Sequence, residues 1–113
     1  MNIKTSQSDA ITIVYLEGRF DAYSAPEVNT KLEEEIEKSN PAKLIINLQD
    51  VVFVDSTALA TLVQAMKRCR QKDGDLRLSN LKQPVRMIFE LTRLDRAFEI
   101  HTTEDSAKAA FAA

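Results

Sequence analysis

The order of apolar runs and amphipathic stretches predicts an α/β domain, with a mixed central sheet of about five strands and about four helices packed on it. Three observations carry that prediction. Residues 43–48 (KLIINL) form a near-continuous apolar run between turn formers, as a central parallel strand with both faces covered does. Val28, Leu32 and Ile36 recur at every fourth position, and a second stripe of Ala58, Leu62, Ala65, Met66 and Cys69 follows that run. Strand, helix and strand in succession imply a right-handed crossover.

The elements follow in order. Residues 2–7 and 11–17 read as a hairpin joined at Ser8-Asp9, with Ile11, Ile13 and Tyr15 on one face and Val14 and Leu16 on the other. Gly18 breaks the pattern. Ser24 followed by Glu27 has capping-box spacing, and Pro26 is tolerated in a first turn, so a helix is expected over about 25–38. Its Glu33, Glu34, Glu35 and Glu37 are expected largely to face water, and Ser39-Asn40-Pro41 stops it. Residues 51–54 make a short apolar approach to a helix that begins at Asp55-Ser56 and includes Leu59 and Val63 on its apolar face. Asp73-Gly74 ends that helix near residue 72, with Gly74 as its C-terminal cap. Leu76 and Leu78 alternate with Arg77 and Ser79 as another strand, and Pro84 opens a short helix carrying Val85, Ile88 and Phe89. Residues 97–101 are expected to form a last short strand, and Glu104 to about Phe111 a final helix.

Length and composition exclude several classes of function. A chain of 113 residues, 44% apolar and 28% charged, fits one domain spanning residues 1–113 and can build one core without staples. A net charge of −2 gives no footprint for nucleic acid. The basic run from Lys67 to Lys72 falls at a helix end, where cations complement the macrodipole, although a partner-docking patch would look the same. The longest apolar run, Val51–Val54, is far short of a membrane span, so no direct membrane insertion is expected. Cys69 is the only cysteine, which points to a reducing, cytoplasmic home. With one Cys and one His, His101, no zinc site of the usual spacing can be assembled. His101 reads as structural or solvent-facing. No glycine-rich phosphate loop or nucleophile elbow is present, so the chain is not expected to be an enzyme or to hold a cofactor.

What remains is the polar cluster Asp55-Ser56-Thr57. Asp, Ser and Thr are favoured N-caps, so local chemistry alone reads it as an ordinary helix start. If Asp55 is the cap, however, the Ser56 hydroxyl is left free for modification. A phosphate there would add about −1.5 to −2 charges where the helix dipole favours an anion. The fold should tolerate it, and its effect would fall on a partner.

Three blocks of the chain resemble one known family, the STAS domain of anti-sigma factor antagonists. They are residues 16–21 (LEGRFD), 46–59 (INLQDVVFVDSTAL) and 74–100 (GDLRLSNLKQPVRMIFELTRLDRAFEI). The middle block is similar to the family's phosphorylation motif, an apolar residue followed by Asp-Ser-Ser/Thr-Gly-Leu. The resemblance implies that Ser56 is phosphorylated by a serine-kinase anti-sigma factor. It also implies that the unmodified chain binds that kinase, and that a PP2C-type phosphatase resets the phosphorylated form. Asp21, Asp55, Thr57, Ala58 and Leu59 would help form the partner surface, and ATP and magnesium would belong to the kinase. Ala58 stands where the family usually has Gly, and Ala60 where a second Gly is frequent. Their methyls add bulk at the helix start, where a partner would approach. A rival reading within the same family is an accessory subunit that scaffolds the ATPase of a membrane (ABC-type) transporter.

Overall fold

In a computed structural model, which describes residues 1–112, five strands form a single sheet whose spatial order follows the chain. Strand β1 (Asn2–Ser8) pairs antiparallel with β2 (Ile11–Phe20). Strands β3 (Lys43–Val54), β4 (Asp75–Ser79) and β5 (Ile100–His101) then add in parallel. The crossovers carry helices α1 (Ala25–Lys38), α2 (Ser56–Gln71) and α3 (Gln83–Leu91), and α4 (Glu104–Ala112) follows the last strand. Each parallel connection steps one strand the same way along the sheet. With right-handed crossovers, that places α1, α2 and α3 on one face.

Burial follows from this layering. Val14, Leu16, Leu44, Ile46, Leu76 and Leu78 enter one large apolar cluster with Val28, Leu32, Leu62, Met66, Val85 and Phe89 from the helices. Ile13 and Ile45 point the other way and pack with Ala107 of α4. The two-faced reading of the hairpin and the covered 43–48 run both hold. The stripe of α2 is buried as its spacing indicates, with Val63 partly buried beside it.

Local differences from the expected elements have identifiable causes. The hairpin turns at Asp9 and Ala10 rather than Ser8-Asp9, with Asp9 at φ +55°. Glu35 is 4% exposed rather than facing water, because Lys31 and Lys38 close over its carboxylate at 3.5 and 3.6 Å. At the end of α2 the left-handed residue is Asp73, at φ +60°, and not Gly74. The amides of Asp73 and Gly74 donate back to the carbonyls of Arg70 and Cys69 at 3.3 and 2.9 Å, a Schellman closure. Gly74 is needed for a different reason: a Cβ there would overlap the backbone carbonyl of Ala42. The expected strand over 97–101 is reduced to Ile100–His101, because Leu94–Arg96 coil into a 3-10 turn that buries Phe98 against Phe89.

The basic run at the end of α2 is spent inside the molecule. Arg68 bonds Glu33 of α1 at 2.9 Å, and Arg70 bonds Asp75 at 2.9 Å and the carbonyl of Ala97 at 3.0 Å. Lys72 Nζ donates to the Ile36 carbonyl at 2.8 Å, at the C-terminal end of α1. Such bonds lock neighbouring elements together, while Lys67 stays exposed.

Candidate functional site

The site lies where β2 and β3 run out together beneath the start of α2. Strand β3 is longer than the 43–48 run because it continues through two irregularities. Tyr15 pairs with Asn47, Glu17 with Asp50 and Arg19 with Phe53, so β3 holds two more residues than β2 over this stretch. Each insertion re-aims the side chains that follow it. Val51 and Val54 are therefore buried while Val52, between them, is 60% exposed. Gly18, at φ +115°, lets β2 follow the same bend, so the strand continues past the expected break to Phe20.

This extension sets Asp55 beside the β2–α1 loop. The Asp55 amide donates to the Phe20 carbonyl at 3.3 Å, and its carboxylate then bridges two elements. Oδ1 accepts from the Ala58 amide of α2 at 2.9 Å, a conventional N-cap. Oδ2 accepts from the Ala22 amide across the loop at 3.0 Å. Ser56 and Thr57 are the first two residues of α2, and both are exposed. With Asp55 as the cap, the Ser56 hydroxyl stands on the surface in the first turn, where the helix dipole favours an anion.

Asp21 organises the loop itself. Its Oδ1 accepts from the amides of Tyr23 at 3.0 Å and Ser24 at 3.2 Å, and Arg19 Nε lies 3.6 Å from Oδ2. Partial burial works against the charged form of Asp21. The two amides and the nearby guanidinium outweigh it and hold the carboxyl below its ordinary value. The capping box expected of Ser24 and Glu27 is not made. The Ser24 hydroxyl instead donates to the Arg19 carbonyl at 2.8 Å and accepts from the Asp21 amide at 3.0 Å. The Arg19 guanidinium also stacks 4.2 Å over the Phe53 ring.

Of the five residues expected at a partner surface, Asp21, Asp55 and Thr57 come together with Ser56 around this helix start. Ala58 and Leu59 do not belong to that surface. Ala58 is 0% and Leu59 8% exposed, because they begin the apolar stripe by which α2 packs on the sheet. The methyl of Ala58 therefore faces the core, whereas Ala60 is exposed. Sequence reasoning missed Ala22, Tyr23, Arg19 and Val52. Only Tyr23, an aromatic amid small and polar loop residues, left a trace in the sequence.

The remaining reactive side chains lie elsewhere. Burial pushes the Cys69 thiol up to about 12, so it stays protonated in the core. His101 sits on β5, paired in register with Ser79, its Nε2 3.5 Å from Glu99. Among the described residues, no helix is long and apolar enough to cross a membrane.

The fold and this helix start define a small α/β domain with a polar, surface-exposed segment at the end of its longest strand. The chain belongs to the STAS domain family, whose model matches residues 2–107. It is 36% identical over 104 residues to an anti-sigma-B factor antagonist of Listeria monocytogenes, covering 92% of this chain and 90% of that one. The crystal structure of an anti-sigma factor antagonist from Mycobacterium paratuberculosis superposes with a TM-score of 0.89 at 25% identity, covering 99% and 94% of the two chains. The Bacillus cell fate determinant SpoIIAA in its phosphorylated form shares the fold, with a TM-score of 0.73, 18% identity and coverage of 96% and 98%.

Proposed function

We propose that this chain is an anti-sigma factor antagonist that works as a phosphorylation-controlled partner switch at Ser56. The carrying observation is the match to a named antagonist along nearly the whole of both chains, with Ser56 exposed at the start of α2. Unmodified, the chain binds a serine-kinase anti-sigma factor in the cytoplasm and so frees a sigma factor. The kinase then transfers the γ-phosphoryl group of ATP. The Ser56 Oγ–P bond forms, the bond from phosphorus to the bridging oxygen of ADP breaks, and the hydroxyl proton passes to a base of the kinase. A PP2C-type phosphatase later hydrolyses the ester with water, returning the hydroxyl and releasing inorganic phosphate.

The geometry explains how such a modification acts without unfolding its carrier. The helix dipole and the amides of the first turn favour an added anion. The same dianion and its hydration shell are intolerable in an interface built around a neutral hydroxyl. Loss of about 3 kcal/mol there weakens binding by over 100-fold. Asp55 and Asp21 sharpen the contrast, since a phosphate at Ser56 would make the whole helix start strongly negative.

The test is incubation with the kinase and ATP, followed by intact mass measurement. Wild type and Thr57→Ala should each gain one phosphoryl group, and Ser56→Ala none. A Ser56→Ala protein that gains it as readily as wild type would sink this reading.

A further inference from the structure

The loop between β2 and α1 is held more firmly than a surface connection requires. The Asp21 amide donates to Ser24 Oγ at 3.0 Å, Ala22 to Asp55 Oδ2 at 3.0 Å, and Ala25 to the Asp21 carbonyl at 2.8 Å. With the Tyr23 and Ser24 amides on Asp21 Oδ1, every amide from residue 21 to residue 25 has an acceptor. The backbone is therefore pinned. Yet the largest side chain on it, Tyr23, is 96% exposed and adds nothing to the core. Order without burial is what a preorganised contact residue needs, because little conformational freedom remains to be lost on binding. Tyrosine supplies a large amphipathic ring and is enriched among residues that dominate interfaces.

This pedestal is also tied to the switch. Among the described residues, Asp55 is the only side chain bonding both the first turn of α2 and the loop, one carboxylate oxygen to each. We propose that Tyr23 is the aromatic anchor by which the serine-kinase anti-sigma factor recognises the unmodified chain, and that Asp55 couples the placement of that anchor to the state of Ser56. The proposal rests on the switch reading above. The fitting partner surface is an apolar pocket for one phenol ring, with a polar rim facing Asp21 and Arg19. A phosphate beside Asp55 sets like charge against its carboxylate. That weakens the hold of Oδ2 on the Ala22 amide, and the pedestal loosens as the hydroxyl is lost.

Two measurements on the full chain test this. In the first, purified serine-kinase anti-sigma factors of the same cell are titrated with wild type, Ser56→Ala, Tyr23→Ala, Tyr23→Phe and Leu91→Ala. Leu91 on α3 is another exposed apolar residue and serves as the comparison. Tyr23→Ala should weaken binding about tenfold or more, and Tyr23→Phe by no more than about threefold. Leu91→Ala should bind as wild type does, and all variants should share its unfolding midpoint. Wild-type affinity in Tyr23→Ala overturns the anchor alone. Absence of binding by both wild type and Ser56→Ala defeats the switch reading and the anchor with it. In the second measurement, hydrogen exchange at the Ala22 amide is followed before and after phosphorylation. Faster exchange in the phosphorylated form is expected, and unchanged protection overturns the coupling.

Discussion

Both oxygens of Asp55 accept amide hydrogens, one within its own helix at Ala58 and one from 33 residues earlier in the chain at Ala22. Only the first of these was legible in the sequence, because capping is a local rule and the second bond depends on how β2 and β3 end together. Replacing the side chain separates the two. Asp55→Ala should destabilise the chain by about 1–2 kcal/mol, read as a lower urea midpoint. Asp55→Asn should recover most of that loss, since Asn caps as well as Asp, while its amide nitrogen cannot accept from Ala22. Gly74 teaches a similar lesson at residue scale. Its position after a helix suggested a left-handed cap, yet Asp73 adopts that conformation and Gly74 is there for lack of space. Gly74→Ala should therefore cost on the order of 3 kcal/mol or more, since backbone and not a flexible side chain would have to move. A loss below about 1 kcal/mol in denaturant melts would show that the α2–β4 turn shifts freely.

At the scale of elements, α1 and α2 lie where their periodicity predicts, because helix signals are written in neighbours three and four residues away. Strands were less readable at their ends. Nothing in the residues around Gln49 or Val52 announces an inserted residue, since a bulge is defined only against the strand it pairs with. Ala58 drew two readings, and its burial bears out the first. The helix stripe included it, but the family resemblance assigned it to the surface. Ala58→Gly, which restores the family's usual residue, should lower stability by about 1 kcal/mol, since Gly is the poorer helix former and leaves the buried methyl's place empty. Kinase affinity should stay at the wild-type value. A change in affinity without a change in stability would return that residue to the interface.

At the scale of the molecule, the sheet needs cover on both faces, and α4 supplies the second. Glu104 anchors it: its carboxylate accepts from Asn47 Nδ2 at 3.2 Å and pairs with Lys108 at 3.1 Å, on the side of the sheet where Tyr15 lies. Burial raises the Glu104 carboxyl, but Tyr15, Asn47 and Lys108 outweigh it and hold it below its ordinary 4.5. A depressed folded pKa means that its stabilisation is full above the unfolded value and fades as pH falls through the folded one. Stability of wild type should thus drop below about pH 4.5 by more than that of Glu104→Gln, with α4 amides losing exchange protection first. Equal acid profiles for the two proteins would remove Glu104 from this role.

The sequence by itself determined the order of elements, the two-faced sheet and the capped helix start before Ser56. Those follow from periodicity and capping, which act over a few residues. Only the tertiary structure decided that Glu35 is buried, that the last strand is two residues long, and that Asp55 also holds the loop carrying Tyr23. Each of these depends on which distant backbone or side chain comes within bonding distance once the strands have paired, and no local pattern encodes that.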